Sequence, residues 1–147
     1  MTYQEKKSIV SVISVILIFA GFGLYMYPQH PKGGLYSEEI FHYWGTYVLT
    51  LTVVSIIAHI IISIIFNIFY RITTKEKEPS FQDELDKIIQ LKAYRNSFFV
   101  FILGFLLAMS LLVYQPSQIM FIILIFSGFM ADVTGSITKL YHYWKGV

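Results

Sequence analysis

SFQDELDKIIQLKAYRN, residues 80–96, is the longest charged interruption in a chain otherwise built of apolar runs, and its reading decides the fold. Ser80 and Asp83 open it as a capping-box-like pair, because a hydroxyl accepts from backbone donors that a first helical turn leaves unpaired. Asp83, Glu84 and Asp86 then sit near the positive end of the helix dipole, and Lys87, Lys92 and Arg95 follow toward its negative end. At about 100° per residue, Phe81, Leu85, Ile88 and Ile89 share roughly a third of the circumference, opposite Asp83, Asp86, Lys87 and Gln90. No Pro or Gly separates Asn96 from the apolar run beginning at Ser97, so the helix is expected to continue into that run. The stretch therefore reads as an amphipathic cytoplasmic helix, about 80–96, leading into a membrane span. Its apolar side either rests on headgroups and the bundle or docks a cytosolic partner through Phe81, Leu85 and Ile88, with Lys92 and Arg95 beside them.

Composition agrees with a membrane setting. With 147 residues there is room for one domain, and 56% hydrophobic against 14% charged residues is too apolar for a soluble fold of this size. The absence of cysteine removes disulfides, thiolate metal sites and thiol redox chemistry. A net charge of +2 is too small to point to nucleic acid.

Four apolar runs follow in order, at about residues 8–27, 44–70, 97–113 and 118–140. At ~1.5 Å rise, some twenty residues cross the ~30 Å hydrocarbon core. Met1 to Lys7 reads as a short polar lead. The first run is longer than a signal-peptide core and ends in Tyr25, Met26, Tyr27 and Pro28 rather than a small-residue cleavage site, so it is kept as a span. Residues 28–43 form a connection broken by two prolines and by Gly33-Gly34, with a short interfacial helical turn expected near Ser37 to Phe41. The chain closes with a tail, YHYWKGV.

Charge sets the orientation. Ten of the eleven Lys and Arg fall in the lead, the middle connection, the base of the fourth span and the tail, and only Lys32 lies on the other side. The positive-inside rule then puts both termini and the central helix in the cytoplasm. Tyr25, Tyr27, Tyr43, Trp44 and Tyr114 outside, with Tyr70, Tyr94, Tyr141 and Trp144 inside, mark the two interfaces. The expected fold is an all-α integral membrane protein of the plasma (cytoplasmic) membrane, an antiparallel four-helix bundle.

Chemistry is sought among the polar groups within the spans. Gly45, Thr52, Ser55, His59, Ser63 and Asn67 fall within about 120° of one another on the second span, a stripe that must look into the bundle. In the fourth span, Ile119 to Phe126 is wholly apolar, whereas the following half carries Ser127, Gly128, Ala131, Asp132, Thr134, Gly135, Ser136 and Thr138. Asp132 is the only acid in any span. A central acid costs about 2.5–3.5 kcal/mol on insertion scales, which flanking Leu, Ile and Phe at ~0.3–0.6 kcal/mol each offset. His59 and Asp132 lie at matched depth, each ~3–4 Å to the cytoplasmic side of its helix midpoint. They are expected to pair directly or through one water, supported by Ser55, Ser63, Asn67 and Thr134. Such a pair either specifies packing or forms a protonatable or ion-coordinating site.

Small residues at four-residue spacing, Gly104 with Ala108 and Ser127 with Ala131 and Gly135, let backbones approach closely. Within one chain they pack the bundle; between chains they make a homo-oligomer. Haem held between helices needs a second His inside the spans, and no zinc-protease or P-loop pattern occurs. No catalytic residue, metal site or cofactor is therefore assigned. His30, His42 and His142 fall at or beyond the interfaces, as headgroup-level polar residues.

The segment DELDKIIQLKAYRN resembles small four-span membrane proteins of bacteria and archaea. In these an acidic D-E-x-D, an Ile and then K-A-x-R introduce the third helix, here Asp83, Glu84, Asp86, Lys92, Ala93 and Arg95. The resemblance implies the span layout and no activity. Two functional readings stand. The first is a non-enzymatic regulatory or accessory module binding a protein partner through the cytoplasmic helix or bundle surface. The alternative is a small dimeric transporter or channel using His59 and Asp132, whose sign would be a cavity reaching Asp132. No charge lies in the outer halves of the spans, so no continuous polar route is visible, which favours the first.

Overall fold

Thr2 starts the first helix. Its side chain accepts from the Glu5 backbone N–H at 3.3 Å while Glu5 Oε2 accepts from the Thr2 N–H at 3.2 Å, a complete capping box. The result is α1, Tyr3–Met26, so the residues expected as a polar lead are the first turns of the helix. Pro28 then tightens the chain into a 3-10 turn, Tyr27–Gln29. The computed structural model describes residues 2–32, 38–75, 84–114 and 118–146. The proposed cap at Ser80–Asp83, and Phe81 with it, lie outside them.

The second helix, α2, runs Glu38–Thr74, the third, α3, Glu84–Tyr114, and the fourth, α4, Ile119–Lys145. Each is longer than the apolar run within it. The interfacial turn expected near Phe41 is the first turn of α2, and the tail is the last of α4, closed by Gly146 at φ 71°, whose N–H donates to His142 O at 3.0 Å. As expected, the charged segment continues without a break from Glu84 into the apolar run beyond Ser97. At ~1.5 Å per residue, α2 is about 55 Å long. Its Ile, Val and Thr content disfavours helix in water, but an apolar medium makes every unpaired backbone group cost several kcal/mol, and a helix pairs them all. All four helices are long and apolar enough to cross a membrane, and the described residues form no strand.

The helices alternate in direction. Ser11 meets Ser136 and Phe19 stacks on Phe129, so α1 and α4 run antiparallel. Asn96 donates to Thr138 while Gly104 faces Ser127, so α3 and α4 do too. Tyr3 reaches Asn67 and Tyr43 reaches Met26, so α1 and α2 do as well. Lys6, Lys7, Arg71, Lys75, Lys87, Lys92, Arg95, Lys139 and Lys145 therefore lie toward one end of the bundle, and Lys32 lies at the other.

The small residues of α3 and α4 meet each other. A Cβ at Gly104 would overlap the Ser127 side chain, and one at Gly135 would overlap the Ser97 hydroxyl. Ala93, Ala108, Ala131, Ser127 and Gly135 are buried along this seam. By contrast, no residue in the most apolar stretch of α2 is buried. That helix is held at its ends. At the Lys32 end, Trp44 stacks on Phe121 (centroids 5.9 Å) and Tyr47 meets Phe22 edge-on (5.1 Å), a core completed by Met26 and Ile40. At the basic end, the Tyr3 hydroxyl donates to Asn67 Oδ1 at 2.5 Å and its ring meets Phe66 and Tyr70. Among the described residues packing runs from α3 to α4 to α1 to α2, and α2 and α3 are not packed closely against each other.

Candidate functional site

That spacing leaves a cavity of about 1070 Å³ lined by all four helices. His59 on α2 and Asp132 on α4 both open into it, and they lie close enough to interact electrostatically. Among the described residues no hydrogen bond or ion pair joins the two side chains. No direct bond closes the expected pair, and both side chains open into the same space. His59 Nδ1 is 2.7 Å from the Ser55 carbonyl oxygen one turn back. A carbonyl only accepts, so Nδ1 carries the proton, and in the neutral ring Nε2 is left as an acceptor.

The remaining residues of the expected site divide. Ser55 lines the cavity with His59, as does Thr52, whose hydroxyl donates to Val48 O at 2.8 Å. Asn67 does not; it accepts from Tyr3 and ties α2 to α1. Ser63 and Thr134 are half-buried outside the lining, and Thr134 O accepts from the Thr138 hydroxyl at 2.7 Å. The stripe on α2 bends away because the helix leans on α1 only toward its ends.

Sequence reasoning named Ser136 among the polar residues of the fourth span without assigning it to the site, and it assigned neither Ser11 nor Lys139 to it. Ser11 and Ser136 share a hydrogen bond at 3.1 Å that joins α1 to α4 at the cavity wall. The signal for Ser11 was a three-residue repeat, Ser8, Ser11 and Ser14, on α1. Ser8 and Ser14 are buried and donate to Gln4 O and Val10 O. Lys139 lies at the basic mouth, with Nζ 5.4 Å from the centre of the Tyr94 ring.

Comparison with protein-family models, characterised proteins and solved structures found no match. Function therefore has to be argued from the geometry. Beyond the cavity, the basic end is knotted by Asp86 on α3, which accepts from Gln4 Nε2 of α1 at 3.3 Å and lies in hydrogen-bonding range of the Tyr143 hydroxyl of α4. At the other end, His30 and Gln118 share a 3.0 Å hydrogen bond above the aromatic core.

The proposed docking surface is split. Ile89 is fully buried, turned inward with Ala93, while Leu85 and Ile88 remain exposed and Leu91 more so. Arg95 is exposed and Lys92 half-buried. One turn of the expected apolar stripe is thus part of the bundle.

Proposed function

We propose that this chain is a multi-pass protein of the cytoplasmic membrane, both termini inside, that acts without catalysis by binding a small ligand drawn from the bilayer. The observation that carries the reading is the cavity into which His59 and Asp132 both open. Its volume of about 1070 Å³ is at the upper end of the ~300–1,000 Å³ typical of ligand pockets. Its loosely packed side, between α2 and α3, gives access from lipid. The clustering of basic residues at one end of the bundle supports the orientation. At the far end Leu51 and Ile125 line the cavity and pack on the core of Phe22, Trp44 and Tyr47. That aromatic wall favours a binding protein or carrier over an open channel. The small-residue faces that might have joined two copies are used within the chain, so a dimer is not needed to form the site.

The chain has no cysteine, so Ser55→Cys supplies a single thiol in the cavity wall. In native membranes N-ethylmaleimide is expected to modify S55C, and adding Ile125→Trp, which fills the cavity, should slow the reaction at least tenfold. Equal labelling with and without the Trp would sink the reading. Lys32→Cys and Lys87→Cys should react with an impermeant reagent from opposite sides.

A second reading, that the basic end of α3 docks a protein partner, is supported by the exposure of Leu85, Ile88 and Leu91. Leu85→Ser with Ile88→Ser should release a co-purifying partner without changing S55C labelling; an unchanged set of co-purifying proteins removes this reading.

A further inference from the structure

The cavity is richer in polar groups at one end; toward the other, Thr52 donates its hydroxyl to Val48 O. Toward the basic end its wall carries His59, Asp132, Ser136, Ser97 and Ser11; toward the other it is Ile18, Phe19, Val48, Leu51, Leu124 and Ile125. The polar end is also unbalanced in hydrogen-bonding sense. In the neutral ring the His59 Nδ1 proton is used by Ser55 O, leaving Nε2 as an acceptor, and in its ionised form Asp132 only accepts. Of the hydroxyls nearby, Thr52 donates to Val48 O, and the single bond between Ser11 and Ser136 uses one of their two protons; the other, with those of Ser55 and Ser97, is a neutral donor that leaves a carboxylate's charge unmatched. Among the described residues the one cation lining the cavity, Lys139, is seven residues from Asp132, about 10 Å along the helix, with its Nζ over the Tyr94 ring. Among the described residues the ionisable groups that line this space are thus His59 on α2, Asp132 and Lys139 on α4 and Tyr94 on α3.

A site with unfilled acceptors, one of them a carboxylate, and an apolar trough beyond them calls for a ligand with the complementary parts. The geometry points to a single-chain amphiphile with a protonated amine head, the head held between Asp132 and His59 and the chain lying against Ile18, Leu51 and Ile125 toward the aromatic core. A charge-assisted hydrogen bond to Asp132 is stronger than one from a neutral hydroxyl, so the amine is preferred over the alcohol, and a fatty carboxylate is repelled. The orientation, head toward the basic end, is that of a lipid in the cytoplasmic leaflet. This inference rests on the binding reading of the cavity.

The test uses the full-length S55C protein in phosphatidylcholine nanodiscs, with dodecylamine, dodecanol and dodecanoate as probes of equal chain length protecting the thiol from N-ethylmaleimide. Dodecylamine is expected to protect at a concentration at least tenfold below that of the other two. Asp132→Asn should abolish the advantage of dodecylamine over dodecanol. His59→Phe, which keeps the charge and removes the second acceptor, should reduce the advantage about threefold, and it carries the test if the Asn variant does not accumulate. Protection by dodecanoate equal to or better than that by dodecylamine overturns the amine assignment and leaves the cavity as a binding site. No protection by any probe, with labelling still blocked by Ile125→Trp, also overturns the assignment alone. No protection together with indifference to Ile125→Trp overturns both.

Discussion

Along the seam between α3 and α4 the helices meet through Ala93, Ser97, Gly104 and Ala108 on one side and Ser127, Ala131 and Gly135 on the other, whereas α1 and α2 are joined by rings near their ends. Where no side chain intervenes, two backbones come close enough for dispersion to act along the whole contact, the attraction that remains when lipid is as apolar as the protein. Where Tyr, Phe and Trp intervene, the axes are held apart, and the stretch between the ring clusters is left without a partner. The α3–α4 seam therefore makes a wall, and the spacing of α2 makes a chamber beside it.

The comparison can be broken most directly at the ring cluster. Trp44→Ala is expected to destabilise the protein by about 3 kcal/mol, as truncating a buried Trp generally does, measured as resistance to unfolding in a denaturing-detergent titration. Because among the described residues the buried Trp44 indole N–H has no hydrogen-bond partner, Trp44→Phe should cost much less. A large loss with Phe would mean that a polar contact, and not ring packing, holds this end. On the other seam Gly104→Ala should cost about 1–3 kcal/mol, the range for inserting a methyl group into close packing. Adding Ser127→Gly removes both side-chain atoms the new methyl would meet and should restore most of it. Failure of the rescue in the same titration would show that the seam is not limited by that contact. Tyr3→Phe, which deletes the hydroxyl donated to Asn67, sharpens the comparison at the smallest scale, with a loss of about 0.6 kcal/mol.

How much of this was legible depends on the range over which each feature is set. The four helices, the unbroken passage from Glu84 through Ser97 and the collection of Lys and Arg at one end could be read from runs of neighbouring residues. Helix ends were read too short at Tyr3, Glu38 and Lys145, because polar residues there were taken to end the helices; Thr2 and Glu5 cap α1 instead, and Gly146 ends α4. That His59 and Asp132 line the same cavity accords with their matched depth along two helices, since both depths are counted from sequence. Asn67 left the site because Tyr3, 64 residues away, took its carbonyl oxygen. Lys139 joined it because α4 lies against α3 at Tyr94.

Local sequence alone determined how many apolar helices there are and which end of each is charged. Hydropathy and backbone pairing act within a segment, and a helix satisfies its own N–H and C=O groups wherever it sits. Only the tertiary structure decided that His59 and Asp132 would both open into one cavity. The gap between α2 and α3 depends on the girth of side chains contributed by α1 and α4, which no reading of either wall by itself contains.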